Sequence, residues 1–111
     1  MVLALCMGTY TSSEAQIRMV KIDTDNESVT IKNLGTSTVD ISGYWMCSLF
    51  NYQSLGSITP IHGNYNFGQN EEVEISATSI NLNDTSADVG LYSSSSFSSS
   101  AAIVDFFQYR S

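Results

Sequence analysis

Proline, histidine, cysteine and basic residues are all scarce in this chain. Its 111 residues include 1 Pro, 1 His, 2 Cys and 4 Lys plus Arg, set against 11 Asp plus Glu. The resulting net charge of -7 repels phosphate backbones and anionic lipid, so nucleic acid is excluded as a natural partner. No apolar run reaches the roughly 20 residues that a membrane helix needs. There is no rod of heptad repeats and no basic nuclear-import cluster. Gly-x-Ser-x-Gly and His-rich metal motifs are also missing, and with them the usual outlines of a hydrolase. Charged residues make up only 14% of the chain, well below the roughly 25% of an average domain.

What is present is enough for one core. Hydrophobic residues account for 42% and aromatic residues for 11%, which argues against disorder, and the length suits a single domain. Ser and Thr supply the missing polarity, and their preference is for strands and turns over helices.

Residues 1–15 read as a signal peptide. Val2-Leu3-Ala4-Leu5-Cys6-Met7 is a short apolar run, and Ser13 and Ala15 fit the minus-three and minus-one positions of a cleavage site before Gln16. The positively charged n-region is absent, as in a signal peptide shortened at its start; an N-terminal strand and a lipidated Cys6 are the alternatives. Cleavage would leave residues 16–111 as the domain and Cys47 as its one thiol, with no intrachain disulfide and no thiol set for zinc. Cys47 is then expected to be a small buried apolar residue.

Along residues 16–111 apolar residues recur in short extended segments. Ile17 to Ile22 and Glu27 to Asn33 form two strands around the acidic turn Asp23-Thr24-Asp25-Asn26, with Val29 and Ile31 on one face. Val39 to Ile41 begins another extended stretch that Gly43 bends or bulges and Tyr44 to Cys47 resumes. Short strands are expected between Leu55 and Ile61, a loop from His62 to Asn70, and strands at Glu71 to Ile75, Val89 to Tyr92 and Ala102 to Tyr109. The serine tract from Ser93 to Ser100, with Phe97 at its centre, reads as a long hairpin connection pinned by one aromatic. About seven short strands without a convincing helix predict an all-β, immunoglobulin-like sandwich, with a small Greek-key barrel as the alternative.

Two segments carry a family resemblance. Ser28-Val29-Thr30-Ile31-Lys32-Asn33-Leu34-Gly35, followed by Val39-Asp40-Ile41-Ser42-Gly43-Tyr44, resembles the lamin-tail signature of a strand ending in Asn-x-Gly, a turn, then Val-Asp-Leu-Ser-Gly and an aromatic. Asp88-Val89-Gly90-Leu91-Tyr92 with Ile103-Val104-Asp105-Phe106-Phe107-Gln108-Tyr109 is similar to the end of the bacterial members, although Arg110 stands where those turn with Gly. The resemblance implies an immunoglobulin-like sandwich carried by secreted or surface proteins of bacteria. Without heptads or an import cluster, the nuclear filament role of the animal members does not transfer.

Physical roles follow for individual residues. Asn33 with Gly35 is expected to close a turn, with Gly35 at positive φ, and Asp40 and Ser42 to cap donors freed by the bend at Gly43. Trp45 is the expected core anchor. Asp105, flanked by Val104 and Phe106, needs a partner, for which a tyrosine hydroxyl or a backbone amide suffices.

Three functions fit these residues. A non-catalytic surface module would engage a protein or glycan at the cell surface through Tyr52, Tyr65 and Phe97. A calcium-binding adhesion module would use Asp23, Asp25 and Glu27, with Asn83, Asp84 and Asp88 as a second acidic loop. The first run lacks the Gly and Glu of a helix-loop-helix site, since Ser28 and Leu34 occupy those positions. A small secreted hydrolase would have to rely on His62, the sole imidazole, with no nucleophile, base and orienter set around it. The expectation is therefore a binding or scaffolding domain without a cofactor.

Overall fold

The computed structural model describes residues 16–48, 51–80, 82 and 86–110. Among these, the strands are β1 (Ile17–Asp23), β2 (Ser28–Asn33), β3 (Val39–Asp40), β4 (Trp45–Ser48), β5 (Asn51–Ser54), β6 (Asn66–Phe67), β7 (Glu72–Ser76), β8 (Ser86–Tyr92) and β9 (Ile103–Arg110). Single 3-10 turns occur at Leu55–Ser57, Thr78–Ile80 and Ser100–Ala102. No helix is long and apolar enough to cross a membrane among the described residues.

The first hairpin shows how local chemistry sets register. Asp23 accepts the backbone N–H of Asn26 at 3.1 Å and its side-chain amide at 2.9 Å, while Glu27 takes a left-handed φ of 50°. This closes β1 onto β2 so that Met19 meets Ile31 and Ile22 meets Val29. A bulge at Val20 shifts the register between Met19 and Lys21. β7 joins the other side of β2, pairing Val29 with Ile75 and Ile31 with Val73. These four side chains are fully buried, whereas Lys32 and Glu72 face outward 3.9 Å apart.

Two antiparallel sheets result, in the orders β1-β2-β7 and β5-β4-β8-β9, with β3 and β6 as a separate two-stranded ribbon. They pack face to face as a sandwich. Ile17, Val29, Ile31, Val73 and Ile75 on one side share a core with Met46, Val89, Leu91 and Val104 on the other, and Ile41, Leu55, Phe67 and Ile80 join the same cluster. The order corresponds to immunoglobulin strands A-B-E opposite C′-C-F-G. The sheets do not close into a barrel, which sets aside the Greek-key alternative.

Three local expectations need correction. Gly43 does not bulge a continuous strand. The chain leaves the ribbon at β3, turns with Tyr44 N–H bonded to the Ile41 carbonyl at 3.0 Å, and enters the four-stranded sheet as β4. No strand covers Leu55 to Ile61; β5 precedes it, and the predicted 62–70 loop contains β6 and a bridge between His62 and Glu74. Scattered aromatics without alternation hid these short pairings. Gly35 is not at positive φ; a Cβ there would run into the Gln16 side chain, so close approach is what requires glycine.

Candidate functional site: the outer face of the four-stranded sheet

Register across β5-β4-β8-β9 decides which side chains leave the core together. Tyr52 pairs with Cys47, Cys47 with Gly90, and Gly90 with Phe106, so these four residues form one row across the sheet. In the next row Trp45 pairs with Tyr92 and with Ser54. Because side chains alternate along a strand, buried Met46, Leu91 and Gln53 point inward and both rows point out. Phe106 is 54% exposed and Tyr52 46%, on a sheet face that would ordinarily be polar.

The serine loop folds over this face. Phe97 stacks on Tyr52 with ring centroids 4.3 Å apart and an interplanar angle of 27°. It also makes edge contacts with Tyr92 at 5.2 Å and Trp45 at 5.7 Å, both at 81°. Three rings from three strands therefore form a cradle around a fourth from the loop. Gly90 makes room for it, since a Cβ there would lie 2.7 Å from Tyr92 Cε1. Cys47 lies in the same face beside Tyr92, and loss of hydration raises the pKa of both the Cys47 thiol and the Tyr92 hydroxyl, disfavouring their charged forms.

The structure brings Tyr52 and Phe97 together, as neighbours, but not Tyr65. That residue is half-buried against the core, and its hydroxyl donates to the Ile58 carbonyl at 2.6 Å. Burial raises its pKa above the ordinary 10.0. Trp45 is not a core anchor. Met46 fills the interior, alternation turns Trp45 outward, and Tyr44 packs on the core margin instead. Cys47, expected to be buried, is half-exposed for the same reason.

The remaining predicted residues hold the fold. Asn33 is fully buried and uses its whole amide: Nδ2 donates to Ser37 O at 2.8 Å and Phe67 O at 3.0 Å. Its Oδ1 accepts from Gly35 N at 2.9 Å and Gln16 Nε2 at 3.0 Å. Asp40 caps Ser42 N at 2.9 Å, and that bond lowers its pKa. Gly43 has open space around its Cβ position. Asp105 accepts the Met19 N–H at 2.7 Å and lies 3.4 Å from Arg18 Nε.

The acidic turn is bound up with itself. Both Asp23 oxygens hold Asn26, which lowers the Asp23 pKa, while Asp25 is exposed. No group of three His, Cys, Asp or Glu side chains arranged for a metal occurs among the described residues, and Asn83 and Asp84 lie outside them. His62 is largely exposed, its Nε2 3.9 Å from Glu74 Oε1. The other Glu74 oxygen accepts the buried Ser28 hydroxyl at 2.7 Å, which puts the carboxylate, not the imidazole, beside the hydroxyl. A shallow cleft of about 370 Å³ is lined by Gly63, Asn64, Asn66, Phe67, Glu71 and Glu72.

Sequence reasoning missed Tyr92, Cys47 and Gly90 as neighbours of Tyr52 and Phe97. Alternation from Met46 could have placed Trp45 and Cys47 on one face, but the β4–β8 register has no local signal. No family model matches the chain, and no curated protein or solved structure matches it.

Proposed function

We propose that the chain is a non-catalytic, secreted or cell-surface module of the lamin-tail type, which binds or scaffolds a protein or glycan through the outer face of its four-stranded sheet. One observation carries the reading: Trp45, Tyr52, Tyr92, Phe97 and Phe106 gather on that face instead of filling the core. Aromatic rings offer large contact area at small entropic cost, so such a surface suits recognition. The lamin-tail resemblance and the signal-like residues 1–15 support the secreted assignment, and Gln16, the expected first mature residue, is bonded to Asn33 and Ser37. A binding role is favoured over hydrolysis because the Ser28 hydroxyl is committed to Glu74 and, among the described residues, the group beside His62 is the Glu74 carboxylate instead of a hydroxyl or thiol nucleophile.

The test is binding of the labelled full chain to the surface of producing cells. Tyr52→Ala and Trp45→Ala should each reduce binding at least about tenfold, as hot-spot aromatics do. Leu34→Ala and Ile61→Ala, at exposed apolar positions elsewhere, should leave it unchanged. Equal loss in both sets, or no loss in the first, overturns the reading.

A further inference from the structure

The segment between β8 and β9 differs in its bonding from every strand around it. Residues 93–100 are serine except for Phe97; the serines are exposed and Phe97 is half-buried. Among the described residues, the hydrogen bonds of residues 94–98 stay inside the segment. Phe97 N–H donates to Ser95 O at 3.0 Å, Ser99 N–H to Ser96 O at 3.0 Å and Ser96 N–H to Ser94 Oγ at 3.3 Å. At the base, Ser93 N–H donates to Ala102 O at 2.8 Å and Ala102 N–H to Ser99 O at 3.1 Å, and Ala102 is buried. The aromatic contacts with β4, β5 and β8 all run through the Phe97 ring, which meets Trp45, Tyr52 and Tyr92.

Two effects oppose each other in this segment. Ordering a serine chain costs conformational entropy at every residue, and short polar side chains bury little apolar area to offset it. One half-buried ring supplies most of the offset. The base is held differently, by the Ser93–Ala102 hydrogen bond at the end of the β8–β9 ladder and by a buried side chain. We infer that residues 94–99 form a strap that opens by itself, turning on the Ser93–Ala102 pair and taking Phe97 off Trp45, Tyr52 and Tyr92 while both sheets stay folded. Opening breaks the hydrogen bonds inside the segment and the three ring contacts, and it leaves every ladder bond in place. The outer face of the four-stranded sheet therefore exists in a covered and a bare form. Their ratio is set by one ring contact against loop entropy, not by the stability of the sandwich. This goes beyond the proposed binding role and holds whether or not the face has a partner.

Hydrogen exchange of the native full chain in rising urea, below its unfolding transition, tests the strap. The N–H groups of Phe97 and Ser99 should be protected, yet at least about a hundredfold less than those of Val89 to Leu91 on β8. Urea should hardly change their exchange rate, because local opening exposes little surface, whereas exchange on β8 should quicken steeply with urea. Trp45 is the sole tryptophan and touches Phe97 directly. Phe97→Ala should abolish the protection at Ser99 and raise acrylamide quenching of Trp45 at least about twofold, at a nearly unchanged melting temperature. Phe97→Leu should shift both readings less and in the same direction, and the native-chain measurement decides the matter should neither variant fold. Protection and urea dependence shared with β8 would mean that the segment opens only with the whole domain, and would overturn the inference. So would an absence of protection at Phe97 and Ser99 in the native chain, unchanged Trp45 quenching in Phe97→Ala, or a loss of β8 protection in that variant equal to the loss at Ser99.

Discussion

Asp105 on β9 accepts the main-chain N–H of Met19 on β1 at 2.7 Å, and through that bond the edge of one sheet is tied to the edge of the other. The bulge at Val20 belongs to the same arrangement, since it interrupts the β1 ladder beside Met19. The second carboxylate oxygen accepts the Phe106 N–H at 2.8 Å and lies beside Arg18, so a carboxylate in an apolar strand is fully used.

Asp105→Ala should therefore destabilise the chain by about 1–3 kcal/mol, the cost of leaving the part-buried Met19 amide without an acceptor. Asp105→Asn keeps one acceptor oxygen and should lose less. Urea denaturation followed by tryptophan emission would measure both; equal stability of Asp105→Ala and the native chain refutes the bridging role.

Asn33 ties its own turn, at Gly35 and Ser37, to two groups distant in sequence, Gln16 and Phe67. Asn33→Ala should cost about 2–4 kcal/mol, because buried carbonyls and an amide lose their partners at once. Asn33→Asp should be no better, since it turns an oxygen toward the carbonyls of Ser37 and Phe67 where an NH2 had donated. Thermal melts by circular dichroism check both substitutions.

Gly63 has φ of 85°, and a Cβ would meet the Glu72 carbonyl oxygen. Backbone strain and a backbone clash then act together, and Gly63→Ala should destabilise by at least about 1 kcal/mol. Gly43→Ala is the contrasting case, with open space and no positive φ, and should leave the melting temperature nearly unchanged.

Acid should loosen the first hairpin. Hydrogen bonds from Asn26 hold the pKa of Asp23 below its ordinary value of 3.8. A carboxylate with a lowered folded value contributes stability that is complete above the unfolded value and is lost as pH falls through the folded one. The loss thus begins near 3.8 and continues below it. Asp23→Ala should flatten that part of the curve of melting temperature against pH, and an unchanged acid slope would count against the turn.

Cys47 should be a slow thiol. Burial beside Tyr92 raises its pKa above the ordinary 9.0, so little thiolate exists at neutral pH. In a Cys6→Ser chain, iodoacetamide should modify Cys47 more slowly than a free cysteine at pH 8 (about one unit below that value), with the rate climbing at higher pH. A rate equal to that of free cysteine contradicts the burial argument.

The paired elements with clear punctuation were legible from residues alone. Val29 and Ile31 alternate with Thr30 and Lys32, and Asp23 to Asn26 supply turn chemistry, so β1, β2 and their hairpin required no tertiary information. Val73 and Ile75 between glutamates located β7 in the same way. β5 and β6 were not legible, because four-residue and two-residue strands carry too few alternations to stand out from a loop. Tyr65 and Phe97 look alike in sequence, as aromatics among small polar residues. One reaches a carbonyl and becomes part of the scaffold, whereas the other reaches a ring cradle.

The sequence by itself determined a single acidic β domain, the alternating faces of its longer strands and the side-chain chemistry of its turns, because these depend on interactions within a few residues. Tertiary structure alone decided which side of β4 faces water, and that Trp45, Tyr52, Tyr92 and Phe97 meet. Sheet register sets those neighbours. Residues 45, 52 and 92 belong to different strands, and nothing in their local sequence encodes which pairs across the ladder; packing of Met46, Leu91 and Gln53 into the interior fixes the register, and the aromatic face is its consequence.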